Sequence, residues 1–160
     1  MKIDVVAVGK LKAGPERDLV ARYAERLKGM GRAIAFDGPR LVEIGESPAR
    51  RDLDRKGEEA QAILAQVPDT HRVVLFDERG TSLDSAGFAR ILGEWRDSGV
   101  AGVSFVIGGA DGLDPSLREK AALVLGFGRM TMPHQIVRAL VLEQLYRAAT
   151  ILAGHPYHRE

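Results

Sequence analysis

The chain has 160 residues, 45% hydrophobic and 28% charged, the size of one ordinary globular domain with an adequate core, which argues against a second domain. Its 23 basic and 22 acidic side chains leave a formal charge of +1, which excludes a general polyanion binder held by bulk charge, so any nucleic-acid site must be local. The absence of cysteine excludes disulfides and thiolate metal sites and fits a reducing compartment.

In chain order, Ile3–Val8 reads as a first strand. It is too short, and too soon followed by Lys10, Lys12 and Glu16, for a signal peptide or a membrane span, so a cytoplasmic protein is expected. Pro15 to about Met30 has helical periodicity, with Leu19, Val20, Tyr23 and Leu27 on one side. A second strand is expected at Leu41–Ile44. Ser47 opens a capping region before a helix that carries Leu53, Ala60, Ile63 and Leu64 and stops ahead of Pro68. Arg72–Asp77 (RVVLFD) is a third strand, apolar in a run and therefore expected to be covered on both faces.

Ser82–Trp95 reads as the next helix, with Phe88, Ile91, Leu92 and Trp95 on one face. Val103–Ile107 (VSFVI) is a fourth buried strand that runs directly into Gly108–Gly112. A short helix from about Pro115 and a short strand around Val124–Phe127 precede the last helix. In that helix Ile136, Val137, Leu140, Val141, Leu145, Ala148, Ala149 and Leu152 recur at three- and four-residue spacing, with Pro133 suited to the first turn and Gly154 to the stop. His155, Pro156, Tyr157, His158 and Arg159 follow, a run able to stack on a planar ring, donate hydrogen bonds and offset an anion. From Gly126 to Arg159, four arginines (Arg129, Arg138, Arg147, Arg159) stand against one glutamate (Glu143), a modest basic patch. Arg138 and Arg147 read as possible phosphate contacts on a face apart from the apolar stripe.

Alternation of strand and helix predicts an α/β fold with a mostly parallel sheet and helices on both faces. Ligands in such sheets sit beyond the carboxyl ends of the strands, which singles out the loops Phe76–Gly80, Gly108–Gly112 and Phe127–Met132. Glycine in the second loop would allow positive backbone torsions and close approach of a flat or polar ligand. GGADG is not G-x-G-x-x-G and follows the fourth strand rather than the first, and no G-x-x-x-x-G-K-[ST] occurs, so neither a dinucleotide fingerprint nor a phosphate loop is supported. His155 and His158 lack a convergent carboxylate, so no metal site is expected. Asp77 and Glu78 are adjacent and point to opposite faces of an extended strand, which argues against a shared acid/base site; Asp77 reads instead as a buttress of the following turn.

The blocks LFDERG, FVIGGADGL and MTMPHQIVRALVLEQLYRAATILAGHPYHRE, with the opening VAVGKLK, resemble the RlmH-type SPOUT methyltransferases, which modify a pseudouridine of large-subunit ribosomal RNA. The resemblance spans essentially the whole chain, and the terminal block is its most specific part. It implies a single domain over residues 1–160, with a C-terminal trefoil knot in roughly 72–152 that holds S-adenosyl-L-methionine and a substrate tail at 155–160. Its cofactor contacts carry over to Phe76, Gly108, Phe127, Gly128, Arg129, Met130, Thr131 and Met132, where relatives more often have leucine at 76 and Leu-Ser at 127–128.

The resemblance further implies methylation of ring nitrogen 3 of a pseudouridine in a 23S rRNA stem-loop, on an assembled large subunit or ribosome, by a homodimer with neither membrane nor metal. Tyr157, His158 and Arg159 are the expected catalytic group. Arg159 would offset charge on the deprotonated imide, His158 would accept its proton, and Tyr157 would stack on or orient the base. Two further readings remain: the same enzyme class acting on another rRNA or tRNA nucleotide, and a non-enzymatic ribosome-binding protein.

Overall fold

Every strand of the sheet runs parallel to its neighbours, because each connection between consecutive strands is long enough to cross over the sheet. In a computed structural model that describes residues 1–159, the strands are β1 (Lys2–Val8), β2 (Asp37–Ile44), β3 (His71–Thr81), β4 (Gly102–Ile107) and β5 (Ala121–Leu125), in the order β2-β1-β4-β3-β5. The helices are α1 (Pro15–Gly31), α2 (Asp52–Leu64), α3 (Ser85–Asp97) and α4 (His134–Leu152). β1 and β4 lie in the middle of the sheet, in register from Lys2↔Gly102 to Ala7↔Ile107. All six residues of β4 are buried, as its apolar run requires of a strand covered on both faces.

The two faces have separate cores. Ile3, Val5, Ala7, Val74, Phe76, Val103, Phe105 and Ile107 point to the side covered by α1, α3 and α4. Val6, Val8, Val73, Leu75 and Val106 point the other way, to Ala60 and Ile63 of α2 and Leu117 of a 3-10 turn at Pro115–Lys120. Fully burying each such side chain stabilises the fold by about 1.5–3 kcal/mol. α4 supplies more of the first core than any surface helix would: Val141, Leu142, Leu145, Ala148 and Ala149 are essentially inaccessible. Of the expected apolar stripe only part is interior, since Ile136 is 37% exposed.

Several boundaries differ from the sequence expectation. β2 begins at Asp37, not Leu41, because its polar first half still pairs with β1 (Lys2↔Asp37, Asp4↔Arg40). β3 does not stop at Asp77. It continues past a register irregularity to Thr81, which pairs with Leu125, so the expected loop Phe76–Gly80 is the curved end of a strand. β5 correspondingly occupies Ala121–Leu125 rather than 124–127. α3 starts at Ser85 because the Asp84 carboxylate caps it, accepting from the Gly87 amide at 2.6 Å. Ser47 caps nothing: its amide donates to Glu59 and its hydroxyl bonds Glu58, which docks the 45–51 loop on the side of α2.

Candidate functional site

At the carboxyl edge of the sheet, the ends of β3, β4 and β5 enclose a cleft of about 340 Å³, within the range of small-molecule sites. One wall is aromatic. Phe76, midway along β3, stacks on Phe127, just past β5, with ring centres 5.3 Å apart and planes 12° from parallel. Ile107, Leu125 and Val137 extend the apolar lining, and backbone from Gly108–Leu113 and Gly126–Gly128 forms much of the rest. A Cβ placed on Gly128 would meet nothing within 4 Å, so the space beside that backbone is open.

The cleft depends on two chain segments touching main chain to main chain. A Cβ on Gly80 would lie 2.3 Å from the Leu125 carbonyl carbon, and one on Gly126 would lie 2.7 Å from the Asp77 carbonyl oxygen. Only residues without a side chain permit that approach. Hydrogen bonds hold the crossing, from the Gly126 amide to Thr81 O at 3.1 Å and from Ser82 Oγ to Gly126 O at 3.4 Å. The expected turn after Asp77 is absent because β3 continues to Thr81; within the strand the Asp77 carboxylate accepts from the Arg79 amide at 2.8 Å and is paired with Arg118 at 2.8 Å. Glu78 points away to accept from the Thr131 hydroxyl at 2.8 Å, which ties the 127–132 loop to the end of β3.

Gly108 lines the cleft but not for the expected reason. It has no positive φ, and the space a side chain would take is filled by Gly112 and Leu113 of its own loop, at 2.9 and 3.0 Å. The left-handed residue of that loop is Gly112, at φ 82°. An exterior strut holds the loop: Arg55 of α2 pairs with Asp111 at 2.7 Å and also donates to the carbonyls of Ala49 and Arg50. That guanidinium keeps the Asp111 carboxyl below the usual carboxylate range.

Of the expected cofactor residues, Phe76, Gly108, Phe127, Gly128, Met130, Thr131 and Met132 all line the cleft, while Arg129 is exposed and does not. Lys56 of α2 and His134 at the start of α4 line it unannounced by the sequence reading. His134 had a signal, standing directly after the 127–132 loop and Pro133; Lys56 had none.

Tail residues 155–159 line no part of this cleft. Instead the tail folds back on α4. Tyr157 sits against Tyr146 and donates its hydroxyl to Glu143 at 3.1 Å, and His158 borders a shallow hollow shared with Ser82–Ala86, Gln144 and the far side of Phe127. Glu160 lies outside the described residues.

Neither arginine of α4 is a free phosphate contact. Arg138 is 3% exposed: Nη1 pairs with Glu43 at 2.7 Å, and Nη2 donates to the carbonyls of Val8 and Gly9 at 3.1 and 3.0 Å. Burial pushes its pKa down while Glu43 opposes the shift. Its chemistry is structural, fastening α4 to the carboxyl end of β1. Arg147 is paired with Glu143.

At the other edge of the sheet, a shallow hollow contains Asp4, Arg40 and His71, with Arg40 bonded to Asp4 at 2.7 Å and His71 Nδ1 to the buried Ser104 hydroxyl at 3.0 Å. Burial lowers the His71 pKa, against the raising influence of Asp4. Among the described residues no group of three or more His, Cys, Asp or Glu side chains is placed to hold a metal, and no helix is long and apolar enough to cross a membrane.

Comparison with known proteins bears on the same features. A sequence model described as "Predicted SPOUT methyltransferase" matches residues 1–158. The chain is 60% identical over 159 residues to the ribosomal RNA large subunit methyltransferase H of Rhodopseudomonas palustris (strain BisB18), covering 99% of each chain. It is 58% identical over 159 residues to the protein of the same name from Bradyrhizobium sp. (strain ORS 278), covering 99% of this chain and 98% of that one. In fold it is similar to the crystal structure of a probable methyltransferase from Bordetella pertussis Tohama I, with a TM-score of 0.56 and 14% identity over 92% of this chain and 95% of that one.

Proposed function

This chain belongs to the SPOUT methyltransferase family, and from that premise we propose that it methylates large-subunit ribosomal RNA, at ring nitrogen 3 of a pseudouridine in a 23S stem-loop presented by the assembled subunit. The observation that carries the reading is the coincidence of the cleft with the family's cofactor positions, Phe76, Gly108 and the 127–132 loop. S-adenosyl-L-methionine is the methyl donor and supplies an electrophilic methyl group. The residues present fit it. The Phe76–Phe127 stack offers a flat apolar wall, the Phe127–Gly128 backbone would supply polar main-chain groups, and the open side of Gly128 leaves room beside them. The family's knot belongs to the same proposal, supported by the main-chain crossing of 77–81 with 125–126, and so does the division into a cofactor region at 72–152 and a tail at 155–160.

The reacting nitrogen carries a proton and must lose it for attack, leaving negative charge on the flanking carbonyls. Arg159 is positioned by sequence to offset that charge and His158 to take the proton. Because the tail lines no part of its own cleft, the working unit in this proposal is a homodimer in which the tail of one subunit completes the cleft of the other. The half-exposed side of α4, with Ile136 and Leu140, and the exposed Met130 are apolar surface available to a second copy.

The test is to incubate the protein with labelled S-adenosyl-L-methionine and ribosomes from a strain lacking this methyl group, then to map the label. One labelled pseudouridine in 23S rRNA is the expected result. Label on a different nucleotide or on tRNA would replace the substrate, and absence of both label and cofactor binding would leave a non-enzymatic ribosome-binding protein.

A further inference from the structure

The end of a chain is ordinarily loosely held, yet Tyr157 is fixed from three sides. Its ring meets that of Tyr146 edge-on, with centres 4.7 Å apart at 60°. The Arg147 guanidinium lies 4.9 Å from its centre. Its hydroxyl donates to Glu143 Oε1, which also accepts from Arg147 Nε at 3.0 Å, while Glu143 Oε2 accepts from Gln144 at 2.7 Å. Tyr146 leans in turn on Tyr23 of α1, ring centres 6.2 Å apart, with the Arg26 guanidinium near both rings. Burial, together with the neighbouring Tyr23 phenol and Glu143 carboxylate, holds the Tyr157 pKa well above the usual value for a phenol, so the hydroxyl remains a donor.

Beyond this point the tail changes character. Among the described residues His158 has one hydrogen-bond partner, Arg147 at 3.5 Å, and Arg159 is exposed with no hydrogen bond or ion pair.

We infer that Glu143 and Tyr157 are positioning residues. The Glu143–Tyr157 bond latches the tail to α4 and sets the point from which His158 and Arg159 reach the substrate, and Tyr157 does not itself contact the base. The inference rests on the proposal that the tail serves methylation. Two residues past the latch extend about 7 Å of backbone, so a slip of one residue at Tyr157 shifts the guanidinium by roughly half its main-chain reach. Glu143 is suited to the task because one carboxylate oxygen holds both the hydroxyl and the guanidinium that packs on the same ring.

The experiment compares Tyr157→Phe and Glu143→Gln in the full-length protein and in an Arg159→Ala background, with ribosomes lacking the methyl group as substrate. Tyr157→Phe keeps the ring, and Glu143→Gln keeps the shape. Each is expected to lower kcat about tenfold, Tyr157→Phe by deleting the charge-assisted hydrogen bond and Glu143→Gln by removing the charge that strengthens it, with cofactor affinity unchanged. In the Arg159→Ala background the same substitutions should cost clearly less, because only His158 is left to place. Tyr157→Phe and Glu143→Gln together should cost no more than either alone. Equal losses in both backgrounds, or a wild-type rate for Tyr157→Phe, would overturn the latch. Arg159→Ala at the wild-type rate would instead overturn the tail's role in methylation, and the latch with it.

Discussion

The tail is one short segment at the end of α4, whereas the cleft is assembled from Lys56, the 76–79 stretch of β3, residues 107–113 and residues 125–137, and the two are held in different ways. The cleft is built on backbone. Its walls follow the carboxyl ends of three parallel strands, cross at Gly80 and Gly126 with no side chain between them, and are tied by Thr131 to Glu78 and by Arg55 to Asp111. The tail is held chiefly by the Tyr157 side chain, with the His155 amide on Thr150 O at 2.9 Å and His158 3.5 Å from Arg147, and among the described residues no hydrogen bond or ion pair restrains Arg159. The difference matches the two tasks proposed: a donor of fixed shape is recognised by a rigid concave surface, whereas a nucleotide in folded RNA is met by groups that have reach.

Substitutions at the two regions should therefore separate binding from chemistry. The largest effect is expected from Arg159→Ala, which should lower the methylation rate by about 10²–10³, the usual cost of losing one charge-stabilising donor, with cofactor affinity unchanged in calorimetry. Arg159→Lys should recover only part, since a lysine lacks the planar fork. If Arg159→Ala weakened cofactor binding equally, the separation between cleft and tail would be wrong.

Gly126→Val should act from the other side. Its Cβ has no space beside the Asp77 carbonyl, so the 126–128 backbone must move, and cofactor affinity is expected to fall at least tenfold, with overpacking costing about 1–3 kcal/mol of stability. Unchanged affinity would show that the crossing does not shape the cleft.

Arg138→Met probes what holds α4, and with it both regions, to the sheet. Two buried carbonyls lose their donor, so unfolding in urea should show a loss of about 1–3 kcal/mol, while Glu43, half-exposed, finds water. The same stability as wild type would mean that the apolar contacts of α4 suffice.

The smallest effect concerns His71, remote from both regions. Its folded pKa is below the ordinary 6.5, so below that pH the unfolded chain takes up a proton that the folded chain refuses, and stability falls as the pH drops through this value. Above it the imidazole is neutral in both states and adds no slope. His71→Asn should flatten the fall between pH 6.5 and 5 in urea titrations; an unaltered profile would assign the slope to other groups.

The fold was legible where patterns are local. Apolar runs at 3–8, 72–77 and 103–107 announced buried parallel strands, and the loops after two of them announced the cleft. Illegible features depend on partners distant in sequence. The polar stretch Glu78–Thr81 is strand only because Leu125 pairs with it. Arg138 resembled a solvent-facing cation in a helix of three- and four-residue periodicity, and nothing nearby in sequence reveals the carbonyls of Val8 and Gly9 that enclose it. Arg129 stands between cleft-lining Gly128 and Met130 in sequence but is exposed and lines no part of the cleft. The tail's composition led to the proposal of a use, while its anchoring to Glu143, on the preceding helix, shows only in three dimensions.

The central claim is that cleft and tail of one working site come from different subunits, and subunit mixing tests it most directly. One variant lacks residues 157–160 and keeps the cleft; the other carries Gly126→Val and keeps the tail. At a cofactor concentration well below the Kd of the Gly126→Val variant, each alone should be nearly inactive. Mixed in equal amounts and allowed to exchange, half the dimers are hybrid and each hybrid has one intact composite site, so activity should return to about a quarter of wild type. No recovery, with hybrid dimers verified by mass, would contradict the claim and place the tail's work in its own subunit.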